Sequence, residues 1–381
     1  MQKDYKEKYL KSYAIKSIDS KGRIYKEKTN YLRSPFQRDR DRIIHSSSFR
    51  RLKHKTQVFV NTEGDHYRTR LTHSMEVSQI SRTLARSLGL NEDLCETLSL
   101  SHDLGHTPFG HAGEDVLNQC MDKYGGFDHN IQTLRILLIL ENKYYNFHGL
   151  NLTFETLEGL VKHNGPVNNL TKYKKIIKDK FFYNKINFHL NPSLEAQVAA
   201  ISDDIAYNNH DLEDGLRANL FKLNKLNEVS LIRNFLKKHQ KNIKKYRREI
   251  IINQIVRDLI NHMVLDVIKV TIKNLKKYNI NKSNDVNKLN SLIVDFSPKM
   301  KIEVAQIKEF LSINMYNNKN VIKNTNIGKT IISYLFKHLK KNPKKFIKHE
   351  LLSISDNERA ISDFIAGMTD RFAINLYNKI K

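Results

Sequence analysis

The chain has 381 residues, 40% of them hydrophobic, and a formal net charge of +25, so it can bury a large core in one or two domains. Two cysteines, Cys95 and Cys120, exclude a disulfide framework, and no apolar segment opens the chain or is long enough to cross a bilayer. We therefore expect a cytoplasmic protein with reduced thiols and no membrane contact. The charge fits a polyanionic partner, although a general bias towards Lys, Asn and Ile explains it equally well.

Apolar residues recur at helical spacing, and Gly (14) and Pro (6) are scarce, which predicts an all-α protein. Residues 1–33 are polar and Lys-rich and indicate a loosely held N-terminal arm. Nearly all motifs lie in residues 34–221, which we take as the core. Residues 222–345 are helical in period and rich in Lys and Asn, which is typical of an accessory helical region. Residues 346–381 again contain recognisable motif residues and predict a C-terminal helical segment that packs back on the core.

The first strong helix of the core begins near residue 70. Its buried face is marked by Val77, Ile80, Leu84 and Leu88. Gly89 is a natural stop for this helix, and Asn91 is a good N-cap for the next one.

Three further segments complete the helical pattern of the core. The residues DHNIQTLRILLILENKY, 128–144, predict one continuous helix, and residues 110–124 predict another. Residues 168–190 fit either an insertion or a peripheral pair of helices. Residues 193–220 are rich in Ala and predict a long helix with close packing.

The stretch SHDLGHTPFGH, residues 101–111, places three imidazoles and a carboxylate beside helix breakers. His102 and Asp103 are adjacent, which suits two ligands of one cation, and imidazole with carboxylate favours Mn, Fe, Co, Ni or Zn over Ca. Two ligands do not hold a metal, so others must come from elsewhere. His73 and Asp203 would complete a site with two histidines and two aspartates.

The helix breakers divide this stretch into two parts. Pro108 cannot continue a helix that contains Asp103, so His106 and His111 approach the same cavity from another side. His111 and Glu114 are three residues apart and share a helix face. Such a pair can orient and deprotonate a water, which predicts that His111 lies close to Glu114 and faces the metal without binding it.

Another set of candidate residues lies on one face of the Ala-rich helix, where Asp203, Tyr207 and Asp211 are spaced by four residues. The first carboxylate can bind metal, the tyrosine can pack on a substrate, and the second carboxylate can accept from a hydroxyl. Arg70, three residues before His73, fits a phosphate contact at the edge of the metal site.

Five ordered blocks now resemble a known family: RTRLTHSMEV, SLSHDLGHTPFGHAGE, GFDHN, DDIAYNNHDLEDG and IAGMTDRFA. They are similar to the HD-domain metal-dependent phosphohydrolases and, more narrowly, to the bacterial deoxyguanosinetriphosphate triphosphohydrolase-like proteins. The resemblance covers most of residues 34–221 and the C-terminal segment. It implies the HD-domain helical fold and the conversion of a dNTP and water into a deoxynucleoside and inorganic triphosphate.

The resemblance also implies roles for individual residues. The metal ligands are His73, His102, Asp103 and Asp203. The catalytic group consists of the water-activating pair His111 and Glu114, of His106 at a phosphate-contacting or catalytic position, and of His129, which protonates the leaving 5′ oxygen. The substrate contacts are Tyr207, Asp211 and Gln57 at the sugar and Arg70 at the phosphates.

The same resemblance implies a divalent metal at the HD site, Mg²⁺ on the triphosphate, and a homo-oligomer. One departure from the family pattern stands out. Some relatives have Lys directly after the metal-binding aspartate, where this chain has Asp204. Other cations must then hold the triphosphate.

Two alternatives stay open. The chain can be an HD phosphohydrolase that acts on another nucleotide. It can also be a regulator that binds single-stranded nucleic acid and retains only a vestigial HD site, since the basic runs KKYRRE and KKNPKKFIKHE suit a phosphate backbone.

Overall fold

The structure of the chain, a computed structural model, describes residues 7–28, 32–57 and 68–381. These residues form α-helices, short 3₁₀ turns and two π-helices, and no strand occurs among them. The prediction of an all-α fold is confirmed. None of the helices in the described ranges combines the length and the apolar character that a membrane crossing requires.

The helices of the motif-rich region are α1 (Pro35–Ile44), α2 (Ser47–Arg51), α3 (Arg70–Leu88), α4 (Glu92–Ser101), α5 (Gly110–Cys120), α6 (His129–Arg135), α7 (Phe154–Val161), α8 (Thr171–Ile176), α9 (Lys180–Lys185) and α10 (Leu194–Arg217). The later helices are α11 (Ser230–Lys238), α12 (Gln240–Ile243), α13 (Arg248–Lys277), α14 (Ser283–Asn287), α15 (Pro298–Leu311), α16 (Lys319–Lys341), α17 (Pro343–Phe346), α18 (His349–Ile354), α19 (Asn357–Ala366) and α20 (Asp370–Ile380). The π-helices are Ile136–Leu140 and Ser312–Tyr316.

The start and stop signals around α3 and α4 behave as predicted. Gly89 ends α3 with a left-handed φ of 68°, a conformation that glycine adopts without strain. The Asn91 side chain accepts a hydrogen bond from the Leu94 N–H at 3.1 Å and so caps α4. Helix α3 packs against both α4 and α10, and these helices, with the turn that follows α4, carry the residues predicted to bind metal.

Apolar side chains of the motif-rich and accessory regions share one core cluster. Val77 and Ile80 of α3 belong to the same cluster as Leu259 of α13 and Ile307 of α15. A separate cluster joins Phe109 and α5 to the C-terminal helices. The domain boundaries drawn from the sequence remain predictions, but these clusters bind α13, α15 and the C-terminal helices directly to the helices of the site.

The described part of the N-terminal arm is held more firmly than the sequence indicated. Leu10 and Ala14 are buried in the cluster of α3, and Arg23 forms an ion pair with Asp39 at 2.5 Å. Isolated apolar residues and an ion pair therefore help to dock a segment whose overall composition is polar. Residues 1–6 and 29–31 of the predicted arm lie outside the described residues.

The helix predicted over residues 128–144 is shorter than expected. Helix α6 ends at Arg135, a π-helix follows to Leu140, and Glu141 is already extended. The Glu141 carboxylate accepts from the backbone N–H groups of Ser47 (3.2 Å) and Ser48 (2.6 Å), at the start of α2. This distant capping contact favours an extended Glu141, and helical periodicity in the local sequence does not reveal it.

The turn between α4 and α5 is tightly packed from two sides. A Cβ atom added at Gly105 would lie 2.0 Å from the His129 carbonyl oxygen and 2.4 Å from the Thr133 backbone nitrogen. From the other side, Asp370 of α20 accepts a hydrogen bond from the Phe109 N–H at 3.0 Å. The predicted break at Pro108 is confirmed, since α4 has ended by then and Phe109 takes a left-handed φ of 61°.

The close approach at Gly105 generates a stability prediction. We expect Gly105→Ala to destabilise the protein by about 2 kcal/mol, because the methyl group would push the turn away from the α6 backbone. Urea unfolding followed by circular dichroism measures this effect. A loss of less than about 0.5 kcal/mol, the range of ordinary surface substitutions, would show that the turn can shift without cost.

Candidate active site

Three side chains from different parts of the chain converge where α3, α4 and α10 pack together. His73 comes from the first turn of α3, His102 directly follows α4, and Asp203 lies in the middle of α10. The Oδ1 atom of Asp203 is 2.9 Å from His73 Nε2 and 3.6 Å from His102 Nε2. Two imidazole nitrogens and a carboxylate oxygen thus lie close enough together to hold one metal ion.

The hydrogen bonding of His102 fits a metal ligand. Its Nδ1 lies 2.7 Å from the Ser99 carbonyl oxygen, and because a carbonyl only accepts, Nδ1 must donate. The neutral ring then has its lone pair on Nε2, which is buried and finds no hydrogen-bond partner among the described residues. A ring held in this way by its other nitrogen is typical of metal-binding histidines.

The charges around His102 also fit a metal ligand. Burial lowers the pKa of its imidazole, but the carboxylates of Asp103 and Asp203 outweigh burial and raise the pKa to about 9. The potential at Nε2 is therefore strongly negative. A divalent cation would replace the proton that these carboxylates otherwise favour.

Asp103 lies at the edge of this group, and only one of its two carboxylate oxygens faces the histidines. Its Oδ1 lies 3.4 Å from His102 Nε2 and 3.1 Å from His106 Nε2. Its Oδ2 lies 2.8 Å from the Arg70 guanidinium in a buried ion pair. Arg70, predicted at the phosphates, is therefore already paired with a predicted metal ligand, and Asp103 connects the two halves of the SHDLGHTPFGH stretch.

A second group of imidazoles surrounds Glu114 on α5. Its carboxylate lies 2.9 Å from His129 Nδ1, 3.5 Å from His111 Nδ1 and 3.9 Å from His106 Nδ1. The predicted proximity of His111 and Glu114 is present, but the shorter contact is with His129, whose backbone N–H also donates to Glu114 at 2.9 Å. The Asp128 cap, which sets the start of α6, places His129 there.

The geometry of this second group favours proton transfer over metal binding. Glu114, His106 and His129 also lie close enough to hold an ion. The rings of His106 and His129, however, are stacked at 4.0 Å with only 16° between their planes. Imidazole lone pairs lie in the ring plane, so those of two nearly parallel rings run side by side and do not meet at one ion.

Two of the predicted sugar-contacting residues, Tyr207 and Asp211, lie along α10 and meet the accessory region. The Tyr316 hydroxyl, at the end of a π-helix, donates a short hydrogen bond to Asp211 Oδ2, and its ring stacks on Tyr207 at 6.4 Å. Burial raises the pKa of Asp211 to about 7. Its other oxygen is buried and has no partner among the described residues, as is also true of Gln57 Oε1.

Three site residues escaped the sequence analysis. Tyr316 and Lys308 lie in a region without a dense motif, and Lys308 Nζ contacts Asp204 Oδ1 at 2.6 Å. His163 lies just after α7, with its Nε2 3.4 Å from Asp203 Oδ2. None of these residues carries a local signal, because each reaches the site from a distant helix.

Comparison with known proteins agrees with this arrangement. Residues 70–208 match the HD domain, and residues 294–379 match the phosphohydrolase-associated domain. A protein of Pelagibacter ubique called deoxyguanosinetriphosphate triphosphohydrolase-like protein is 60% identical over 358 residues, which cover 94% of this chain and 96% of that protein. The chain belongs to the deoxyguanosinetriphosphate triphosphohydrolase-like family of HD-domain hydrolases.

Further relatives extend the same likeness over nearly the whole chain. A protein of the same name from Bartonella henselae is 50% identical and covers 97% of this chain. One from Rickettsia typhi is 44% identical and also covers 97% of the chain. The region between residues 294 and 379, which carries both Lys308 and Tyr316, has its own family model. The HD family also implies a divalent metal, which the donor set around Asp203 fits.

If Asp203 binds the metal and Asp204 does not, alanine at these two adjacent positions should affect metal-induced stabilisation differently. We expect Mn²⁺ to raise the melting temperature of the wild type, since an ion that binds only the folded state stabilises it by about 4 kcal/mol at 1,000 times its Kd. Asp203→Ala should abolish this shift. Asp204→Ala should retain it, because Asp204 faces Lys308 on α15.

Differential scanning fluorimetry with and without Mn²⁺ measures both variants. An equal Mn²⁺-induced shift in Asp203→Ala and the wild type would remove Asp203 from the metal site.

Proposed function

We propose that this protein is a metal-dependent dNTP triphosphohydrolase, which converts a deoxynucleoside triphosphate such as dGTP and water into the deoxynucleoside and inorganic triphosphate. The observation that carries the proposal is the adjacency of three groups. A donor set for a divalent ion lies beside a cluster of imidazoles around Glu114 and beside a tyrosine-lined carboxylate, Asp211. These groups suit the phosphates, the reacting water and the sugar, respectively.

In this proposal His73, His102, Asp103 and Asp203 hold a divalent ion, with Mn, Fe, Co, Ni or Zn as the candidates. When bound, the ion supplies positive charge that stabilises the α-phosphoryl group. Arg70 lies beside Asp103 and is buried, so its guanidinium adds a fixed positive charge at the same edge. Magnesium accompanies the triphosphate, since substrate phosphates supply Mg²⁺ ligands.

The chemical step needs one proton acceptor and one proton donor. The water oxygen adds to the α-phosphorus, the bond from phosphorus to O5′ breaks, and the electron pair goes to O5′, which takes a proton. His111 with Glu114 accepts the proton of the water. The contact of His129 Nδ1 with Glu114 at 2.9 Å orients the ring, and in this proposal His129 Nε2 gives the proton to O5′. His106, stacked on His129, contacts the phosphate.

The sugar contacts are proposed on the grounds of unused hydrogen-bonding capacity. Asp211 keeps one oxygen without a partner among the described residues while Tyr316 holds the other. That free oxygen can accept from the 3′-hydroxyl, Gln57 lies near the same hydroxyl, and the ring of Tyr207 packs on the deoxyribose. Lys308 pairs with Asp204 and supplies a cation beside that position.

The reaction makes a specific isotopic prediction. With dGTP and Mn²⁺ in ¹⁸O-labelled water, we expect deoxyguanosine and tripolyphosphate, with one ¹⁸O in the tripolyphosphate and none in the nucleoside, because water attacks phosphorus. Mass spectrometry of both products measures this. Release of the nucleoside monophosphate and pyrophosphate would instead support a phosphohydrolase with another bond specificity.

The contact between Tyr316 and Asp211 generates a second prediction. Tyr316→Phe should lower kcat/KM for a dNTP about tenfold, because a typical hydrogen bond contributes up to about 1.5 kcal/mol, which is roughly a factor of ten in rate. The loss should be smaller for the 2′,3′-dideoxy analogue, which lacks the 3′-hydroxyl that is proposed to donate a hydrogen bond to Asp211. Steady-state kinetics on both substrates measures the difference.

Tyr246→Phe provides the control for this experiment, since Tyr246 is an exposed tyrosine of the same accessory region. Equal losses of kcat/KM on the two substrates would argue that Tyr316 supports packing and not recognition of the sugar.

A further inference from the structure

His163 occupies a special place beside the donor set, although no motif includes it. It follows the last turn of α7 in the sequence VKHNGP. Its side chain is only 14% exposed, with Nε2 3.4 Å from Asp203 Oδ2. An ionised carboxylate only accepts hydrogen bonds, so a hydrogen bond in this contact requires the hydrogen on Nε2.

The two oxygens of Asp203 have different surroundings. Oδ1 faces His73 Nε2 at 2.9 Å and His102 Nε2 at 3.6 Å, so it belongs to the group that can hold an ion. Oδ2 faces His163. A carboxylate without such a donor can rotate about its last torsion angle and exchange its oxygens, whereas one held on Oδ2 keeps Oδ1 directed at the ion.

His163 is itself held in place by its neighbours. Its ring stacks on that of His102 at 5.3 Å with 26° between the planes. Its backbone N–H donates to the Leu160 carbonyl at 3.3 Å, and the Gly165 N–H closes a turn onto Lys162 at 2.9 Å. Helix α7 packs against α4, which precedes His102. The imidazole is therefore well placed to orient another side chain.

We propose that His163 is a positioning residue of the metal site, which donates from Nε2 to Asp203 Oδ2 and thereby presents Oδ1 to the ion. The proposal rests on the metal site of the proposed function. It does not make His163 a ligand, because its Nε2 contacts Oδ2 of Asp203, whereas His73 and His102 meet Oδ1. Residues that orient metal ligands in this way commonly change metal affinity 10–100-fold when they are removed.

The test measures metal affinity and needs no turnover. The Kd for Mn²⁺ or Co²⁺ is determined by competition with a chelator for the wild type, His163→Ala and His163→Gln. We expect a Kd about 10–100-fold higher in His163→Ala. His163→Gln should stay within a few-fold of the wild type, because its amide N–H can take the place of Nε2–H. His189→Ala, at an exposed histidine, is the matched control and should bind as the wild type does.

Two further readouts separate orientation from packing. The absorption spectrum of bound Co²⁺ should change in His163→Ala and not in His189→Ala, because the coordination of Asp203 changes only in the first. The metal-free melting temperatures of His163→Ala and His163→Gln should both match that of the wild type, so that a loss of metal affinity in His163→Ala is not one of folding.

Specific outcomes would overturn the inference. Unchanged affinity in His163→Ala would exclude a positioning role. Equal loss of affinity in His163→Ala and His163→Gln, together with a lower metal-free melting temperature in both, would assign His163 to packing. If the wild type itself binds no divalent ion, the metal site of the proposed function fails, which is a different result from loss in the variants alone.

Discussion

The rest of the site depends on the contacts of one group, the Asp203 carboxylate. It lies in the middle of α10 and meets His73, His102 and His163, each from a different part of the chain. Burial raises the pKa of a carboxyl group, but the surrounding imidazoles hold the pKa of Asp203 well below its ordinary range. An ionised carboxylate in this position is stable only because the packing of α3, α4, α7 and α10 keeps its partners within reach.

The turn after α4 adds a second constraint. Within a few residues it carries His102 towards Asp203 and His106 towards Glu114, with Asp103 between them. Gly105 allows the turn to touch the backbone of α6, which brings His129 beside His106. The same glycine thus sets both the local chain reversal and the distance between the proposed metal and proton-transfer groups. A side chain at this position would separate them.

The accessory region takes part in the site through single side chains. Tyr316 holds one oxygen of Asp211 and stacks on Tyr207, while Lys308 pairs with Asp204. Tyr316 ends the π-helix that follows α15, and such helices often occur where a side chain must be re-aimed at a functional site. In the sequence, Asp204 stands where some relatives are expected to have a lysine. In the structure it lies next to Lys308, which is 104 positions away along the chain.

The sequence by itself determined the helical class, the ends of α3 and α4, the break near Pro108 and the clustering of His102, His106 and His111. These features depend on propensity, capping and spacing, which act over a few residues. Only the tertiary structure decided that Glu114 pairs most closely with His129, that Asp103 is shared with Arg70, and that His163, Lys308 and Tyr316 reach the site. Contacts between distant segments depend on how helices pack, and local periodicity carries no information about which side chains then meet.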